Sequence, residues 1–149
     1  QSAFIDIGDK RNTFIRLKDL LPKEDETKTD INSKLKEKDI TDIIKSGMKI
    51  LVQVKRDGTE SKGARVSTHI NLPGRFVVFM PSVNFITVSQ KIEDENERKR
   101  LTDIVKQILP KGDGAIIRTS GKNIDEELLK QDLEGLIKKW KQIKRLIIV

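Results

Sequence analysis

At Pro73-Gly74 the chain changes character, and this break limits its possible folds more than any other feature. A proline-glycine step favours a turn and cannot sit inside a central strand. Behind it, Phe76–Met80 is an unbroken apolar run suited to a strand buried on both faces. Phe85–Val88 is a second strand, expected to pair with the first across Pro81-Ser82-Val83-Asn84. Leu101, Ile104, Val105, Ile108 and Leu109 then fall at helical spacing within Asp94–Leu109, and Pro110 with Gly112 stops that helix. Gly114–Thr119 is a strand, and Asp125–Lys144 a second helix with Leu129, Leu133, Leu136, Ile137, Trp140 and Ile143 as its inner stripe. Arg145-Leu146-Ile147-Ile148-Val149 suits either a longer helix or a further strand. Strand pair, helix, strand, helix predicts a small two-layer unit of α+β class over residues 71–149.

Ahead of the break, residues 1–70 predict a different unit. Ala3–Ile7 and Thr13–Leu17 are short strands around the turn Gly8-Asp9-Lys10-Arg11-Asn12. A charged insertion spans 21–47, densest from Lys23 to Lys45, and closes in a helical turn or two near Ile40, Ile43 and Ile44. Lys49–Lys55 alternates, with Ile50, Val52 and Val54 expected inward. Arg56-Asp57-Gly58-Thr59 is a turn, and Ala64–Thr68 or beyond the next strand. No internal repeat is present.

Composition narrows the function classes. A chain of 149 residues is one ordinary domain or two small ones. With no Cys, disulfides and thiolate metal sites are excluded, and with one His, a two-His metal site cannot form within the chain. No apolar run approaches the ~18 residues of a membrane span, and no helix combines a basic face with bulky interfacial aromatics. A cytoplasmic chain is expected. Because it does not begin with Met, it is expected to be part of a longer one. The net charge of +7 is spread over both halves, with 15 basic and 12 acidic side chains in residues 1–68 and 15 and 11 in residues 69–149. Such an excess suits a polyanion partner, although solubility alone also explains it.

Three runs carry a resemblance. Ala3-Phe4-Ile5-Asp6-Ile7-Gly8, the long stretch Ser61-Lys62-Gly63-Ala64-Arg65-Val66-Ser67-Thr68-His69-Ile70-Asn71-Leu72-Pro73-Gly74-Arg75-Phe76-Val77-Val78-Phe79-Met80-Pro81, and Gly114-Ala115-Ile116-Ile117-Arg118-Thr119 occur in the order and spacing of the bacterial ribonuclease E/G family, which the chain resembles over nearly its whole length. The resemblance implies that residues 1–70 belong to an OB-fold RNA-binding barrel and residues 71–149 to a domain that senses an RNA 5′ monophosphate. An OB barrel needs five strands. Four are legible before residue 69, and the family's first strand would precede Gln1, so an incomplete barrel is expected, with open edges at Phe4–Ile7 and Lys49–Lys55.

The resemblance also assigns candidate residues. Phe4 and Phe14 match RNA-contacting aromatics, where base stacking is worth ~1–3 kcal/mol each; the residue pattern alone favours core. Lys62, beside Gly63, matches a phosphate contact, whereas most loop lysines are merely solvated. Arg118 and Thr119 match the 5′-phosphate pocket, since a guanidinium fork beside a hydroxyl suits a phosphate. On residue type alone, an Arg at a strand end is most often a surface cation. Gly74 and Val78 match the positions supporting the terminal nucleotide, and Ser120-Gly121-Lys122-Asn123 resembles the family's loop. Other residues have plainer readings. His69 suits a strand, Trp140 the core, and Asp125, Glu126 and Glu127 a helix start rather than Mg²⁺ ligation.

No residue matches the family's catalytic carboxylates, which lie in a later domain. No catalytic residue, metal ligand or cofactor is therefore expected here, and Mg²⁺ is expected only for the complete enzyme. The function this implies is the RNA-binding and 5′-monophosphate-sensing portion of an endoribonuclease that cleaves single-stranded RNA in rRNA processing and mRNA decay, its parent a homo-oligomer. The alternative is a non-catalytic OB-fold module for single-stranded RNA. A basic protein–protein adaptor would require the three runs to be accidental.

Overall fold

A computed structural model describes residues 2–8, 13–20 and 40–147. The chain divides into two compact units, Gln1–Ile70 and Asn71–Val149. Both are mixed α+β, each with a four-stranded sheet.

In the first unit, β1 (Ser2–Ile5), β2 (Thr13–Arg16), β3 (Gln53–Arg56) and β4 (Arg65–Ser67) form a sheet of order β1-β2-β4-β3, with the single turn α1 (Ile40–Ile43) beside it in sequence. β1 and β2 run antiparallel, β2 and β4 parallel, and β3 and β4 antiparallel. In β2 the strict alternation of the strand buries Thr13 and Ile15 and exposes Phe14. The buried Thr13 hydroxyl donates to the Ile5 carbonyl at 2.7 Å, so its polar atom is satisfied. The Asp19 carbonyl accepts from Thr68 N at 3.0 Å and from the Ser67 and Thr68 hydroxyls at 3.2 and 2.7 Å. These bonds tie the turn after β2 to the end of β4.

No closed barrel forms among the described residues; β1 and β3 are the outer strands of an open sheet. Two expectations for this unit change. The strand expected over Lys49–Lys55 begins only at Gln53, and Val54 is 48% exposed rather than inward. It lies on an outer strand whose register shifts between Val54 and Arg56. His69 falls beyond β4 and outside any strand, its amide donating to the Ser67 hydroxyl at 3.0 Å. The turn at 9–12 and residues 21–39 of the charged insertion lie outside the described residues.

The second unit contains β5 (Leu72–Pro73), β6 (Val77–Met80), β7 (Ile86–Val88), α2 (Glu95–Ile108), β8 (Gly114–Ile117) and α3 (Glu126–Ile147). The sheet order is β5-β6-β8-β7. The expected pairing of Phe85–Val88 with Phe76–Met80 is therefore wrong: β8 lies between them, antiparallel to β6 and parallel to β7. The connection decides this. β7 leads into α2, and a strand–helix–strand crossover returns the chain parallel to where it left. Close approach also matters, because a Cβ at Gly114 would collide with the carbonyls of Val83 and Phe85. β5 was not anticipated; Pro73 is compatible with it because β5 is an edge strand.

The helices form as the apolar spacing requires. Asp94 caps α2, accepting from Asn96 N at 2.9 Å, and Leu101, Ile104 and Val105 are its buried face. Val77, Phe79, Ala115 and Ile117 on one sheet face meet these residues and Leu129, Leu133 and Leu136 of α3. Trp140 packs at the margin of this core, half-buried, with Lys144 Nζ 5.8 Å from its ring centroid. Arg145, Leu146 and Ile147 continue α3 rather than starting a strand.

Candidate functional site

β8 alternates, burying Ala115 and Ile117 against the helices and turning Ile116 to the opposite face. Arg118, extended at φ −80 and ψ 159, follows the same alternation and is exposed. Val78 is the register partner of both Ile116 and Pro73, so it shares that opposite face and sits half-buried. Immediately after Pro73, the chain makes the tight turn Gly74–Val77, closed by Gly74 N donating to the Val77 carbonyl at 2.7 Å.

This turn and the segment 118–120 are bonded together. Arg118 Nη1 donates to the Gly74 carbonyl at 2.8 Å, and Arg118 N to the Phe76 carbonyl at 2.8 Å. The Ser120 hydroxyl donates to the Arg75 carbonyl at 2.7 Å. Thr119 Oγ1 lies 2.7 Å from the Ser89 hydroxyl, so the two share one hydrogen bond. Arg98 in turn holds the Ser89 strand end, donating from Nη1 to the Ser89 and Ile92 carbonyls at 2.8 Å each. From the other side Asp132 of α3 accepts from Arg75, Phe76 and Val77 amides at 3.1, 2.8 and 3.2 Å. The guanidinium is thus oriented by one carbonyl, while its remaining donors have no protein partner among the described residues. An oriented fork one residue from a hydroxyl is chemically suited to a phosphate.

The structure joins Gly74 to Arg118 and sets Val78 on the sheet face that Arg118 follows by alternation, while the Thr119 hydroxyl bonds to Ser89. Ser89 and Asp132 were not singled out from sequence. Asp132 sits 55 to 57 residues from the amides it binds, a separation that carries no local signal.

In the first unit, Phe4 and Phe14 are register partners on β1 and β2. They are 76% and 41% exposed, with ring centroids 6.5 Å apart and planes tilted by 59°. Neither is core. Phe14 also pairs in register with Arg65 of β4. Lys62 is exposed in the β3–β4 connection, its amide donating to Thr59 Oγ1 at 3.2 Å and its carbonyl accepting from Thr59 N at 2.8 Å. A flexible ammonium on a backbone fixed by these bonds, and an open aromatic pair, are the polar and stacking elements that this sheet offers.

A sequence model of the ribonuclease E/G family matches residues 71–147, which include Gly74, Val78, Arg118 and Thr119. The chain belongs to the ribonuclease E/G family. It is 36% identical over 143 residues to ribonuclease G of Salmonella typhimurium (strain SL1344), covering 96% of this chain and 29% of that protein. Ribonuclease G of Haemophilus influenzae is 38% identical over 143 residues, with the same coverage. Ribonuclease E of Nostoc sp. is 38% identical over 145 residues, covering 97% of this chain and 20% of the relative. The chain thus spans under a third of these ribonucleases. Within this family member, no helix among the described residues is long and apolar enough to cross a membrane. No group of three or more His, Asp or Glu side chains among them converges in a way that could hold a metal.

Proposed function

We propose that this chain is the RNA-binding and 5′-monophosphate-sensing portion of a ribonuclease E/G-type endoribonuclease acting on single-stranded RNA in rRNA processing and mRNA decay. The observation that carries the reading is the Arg118 guanidinium, held by the Gly74 carbonyl at 2.8 Å with its other donors free of protein partners among the described residues, one position before Thr119. In this reading the outer guanidinium donors and the Thr119 hydroxyl bind the terminal phosphate. Gly74 lets the backbone approach closely and Val78 offers an apolar contact to the first nucleotide. Residues 1–70 supply an incomplete OB fold, in which Phe4 and Phe14 stack on bases and Lys62 meets a backbone phosphate. RNA cleavage, a homo-oligomeric parent and a cytoplasmic setting belong to the complete enzyme. So does Mg²⁺, which finds no ligand set among the described residues; no step of this reading runs through it.

The test is a binding titration of short single-stranded RNAs ending in a 5′ monophosphate or a 5′ hydroxyl, against wild type and Arg118→Ala. Wild type should prefer the monophosphate and Arg118→Ala should lose that preference. Equal wild-type affinity for both ends defeats the sensor reading. The exposed Phe4–Phe14 pair favours one alternative, a non-catalytic OB-fold module that binds single-stranded RNA irrespective of its end. Strong, salt-sensitive RNA binding without end preference would select that alternative.

A further inference from the structure

The turn Gly74–Val77 is bonded on both sides. Its carbonyls, those of Gly74, Arg75 and Phe76, face the 118–120 segment and accept from Arg118 Nη1, Ser120 Oγ and Arg118 N. Its amides, those of Arg75, Phe76 and Val77, face Asp132 and donate to that one carboxylate. Asp132 also explains why position 74 is glycine: a Cβ there would lie 2.6 Å from Asp132 Oδ2 and 2.8 Å from Oδ1. The carboxylate occupies the space of the missing side chain. Three convergent amides are a ready anion cradle, and here α3 fills it from within.

We propose that Asp132 is a positioning residue for 5′-end recognition, an inference that rests on the sensor reading above. Its carboxylate fixes the turn so that the Gly74 carbonyl meets Arg118 Nη1 and aims the guanidinium outward. By filling the amide cradle it also closes those three amides to the incoming phosphate. Asp132 itself does not touch RNA. Two effects compete when it is neutralised. Loss of a nearby negative charge would tighten binding of any RNA phosphate, whereas loss of the anchored turn would weaken recognition of the 5′ end alone. Three amides of one turn bond this carboxylate, so neutralising it frees the whole turn, and the positional effect dominates.

The measured quantity is the ratio of dissociation constants for 5′-hydroxyl and 5′-monophosphate RNA, taken on the whole chain beside its thermal midpoint. Asp132→Asn keeps the size but reverses one donor-acceptor face, and the ratio should fall by about tenfold, one charge-assisted bond's worth. Gly74→Ala should lower it similarly by pushing the turn off Asp132. In an Asp132→Ser background, where the space is open, Gly74→Ala should add little. Glu134→Gln removes an exposed carboxylate from the same helix and should leave the ratio unchanged. Should Asp132→Asn fail to fold, Gly74→Ala and the Ser-background pair decide the matter. A discriminating wild type with an unchanged ratio in these variants, even with a lowered midpoint, overturns the inference and leaves the sensor reading standing. So does tighter 5′-monophosphate binding by Asp132→Asn. A wild type that does not discriminate overturns the sensor reading, and this inference with it.

Discussion

Arg118 comes one residue after the end of β8, and that placement gives it two bonds at once. Its amide continues the sheet to the Phe76 carbonyl while its side chain turns back to Gly74. A lysine at 118 keeps the charge but has no fork, so it cannot hold the Gly74 carbonyl and grip a phosphate in the same fixed geometry. Arg118→Lys should therefore lose most of the preference for a 5′ monophosphate, by about tenfold or more, in the same titration that tests Arg118→Ala. A preference kept intact in Arg118→Lys would mean that charge alone suffices. Lys62 differs in kind, since a lone ammonium on a loop contacts a phosphate without reading its neighbours. Lys62→Ala should weaken RNAs with either 5′ end equally and reduce the slope of log affinity against log salt by about 0.7, as expected for one single-strand phosphate contact. A selective loss for one end would reassign Lys62 to end recognition.

At the scale of elements, β1 and β2 present their aromatics outward while β2 buries Ile15 on its other side. In the proposed reading the two faces separate binding from stability. Phe4→Ala and Phe14→Ala should each weaken single-stranded RNA binding by ~1–3 kcal/mol, and Phe4→Ala should barely change the thermal midpoint, because Phe4 is 76% exposed. Unchanged affinity with a lowered midpoint would instead make the pair structural. α3 behaves in the opposite way. Leu133 is fully buried against β6, β8 and α2, and Leu133→Ala should cost about 2–5 kcal/mol of stability, read by denaturant unfolding followed through the Trp140 signal. A loss under about 1 kcal/mol would mean that the second unit repacks freely.

Over the whole molecule, the described carboxylates do not cluster as metal-assisted hydrolysis requires. This chain alone, incubated with Mg²⁺ and a 5′-phosphorylated single-stranded RNA, should leave the RNA intact; cleavage that survives rigorous purification would place catalysis within these residues. What could be read from sequence follows from range. Helical periodicity, caps, the Pro73-Gly74 break and the Gly114–Thr119 strand are local patterns, and α2, α3 and β8 formed close to where those patterns put them. The family was also legible, because three contiguous runs carried it. Strand partners were not: β8 between β6 and β7 depends on a helical crossover and on carbonyls that Gly114 alone admits. Val54 looked inward by alternation, but whether anything covers an edge strand is settled by the rest of the sheet. Likewise the exposure of Phe4 and Phe14 needed both sides of the sheet, since a period of two identifies a shared face without saying which face is buried. Most of all, Asp132 became a partner of Gly74–Val77 only when α3 packed on β6. Local preference determined the elements; long-range packing decided which groups met.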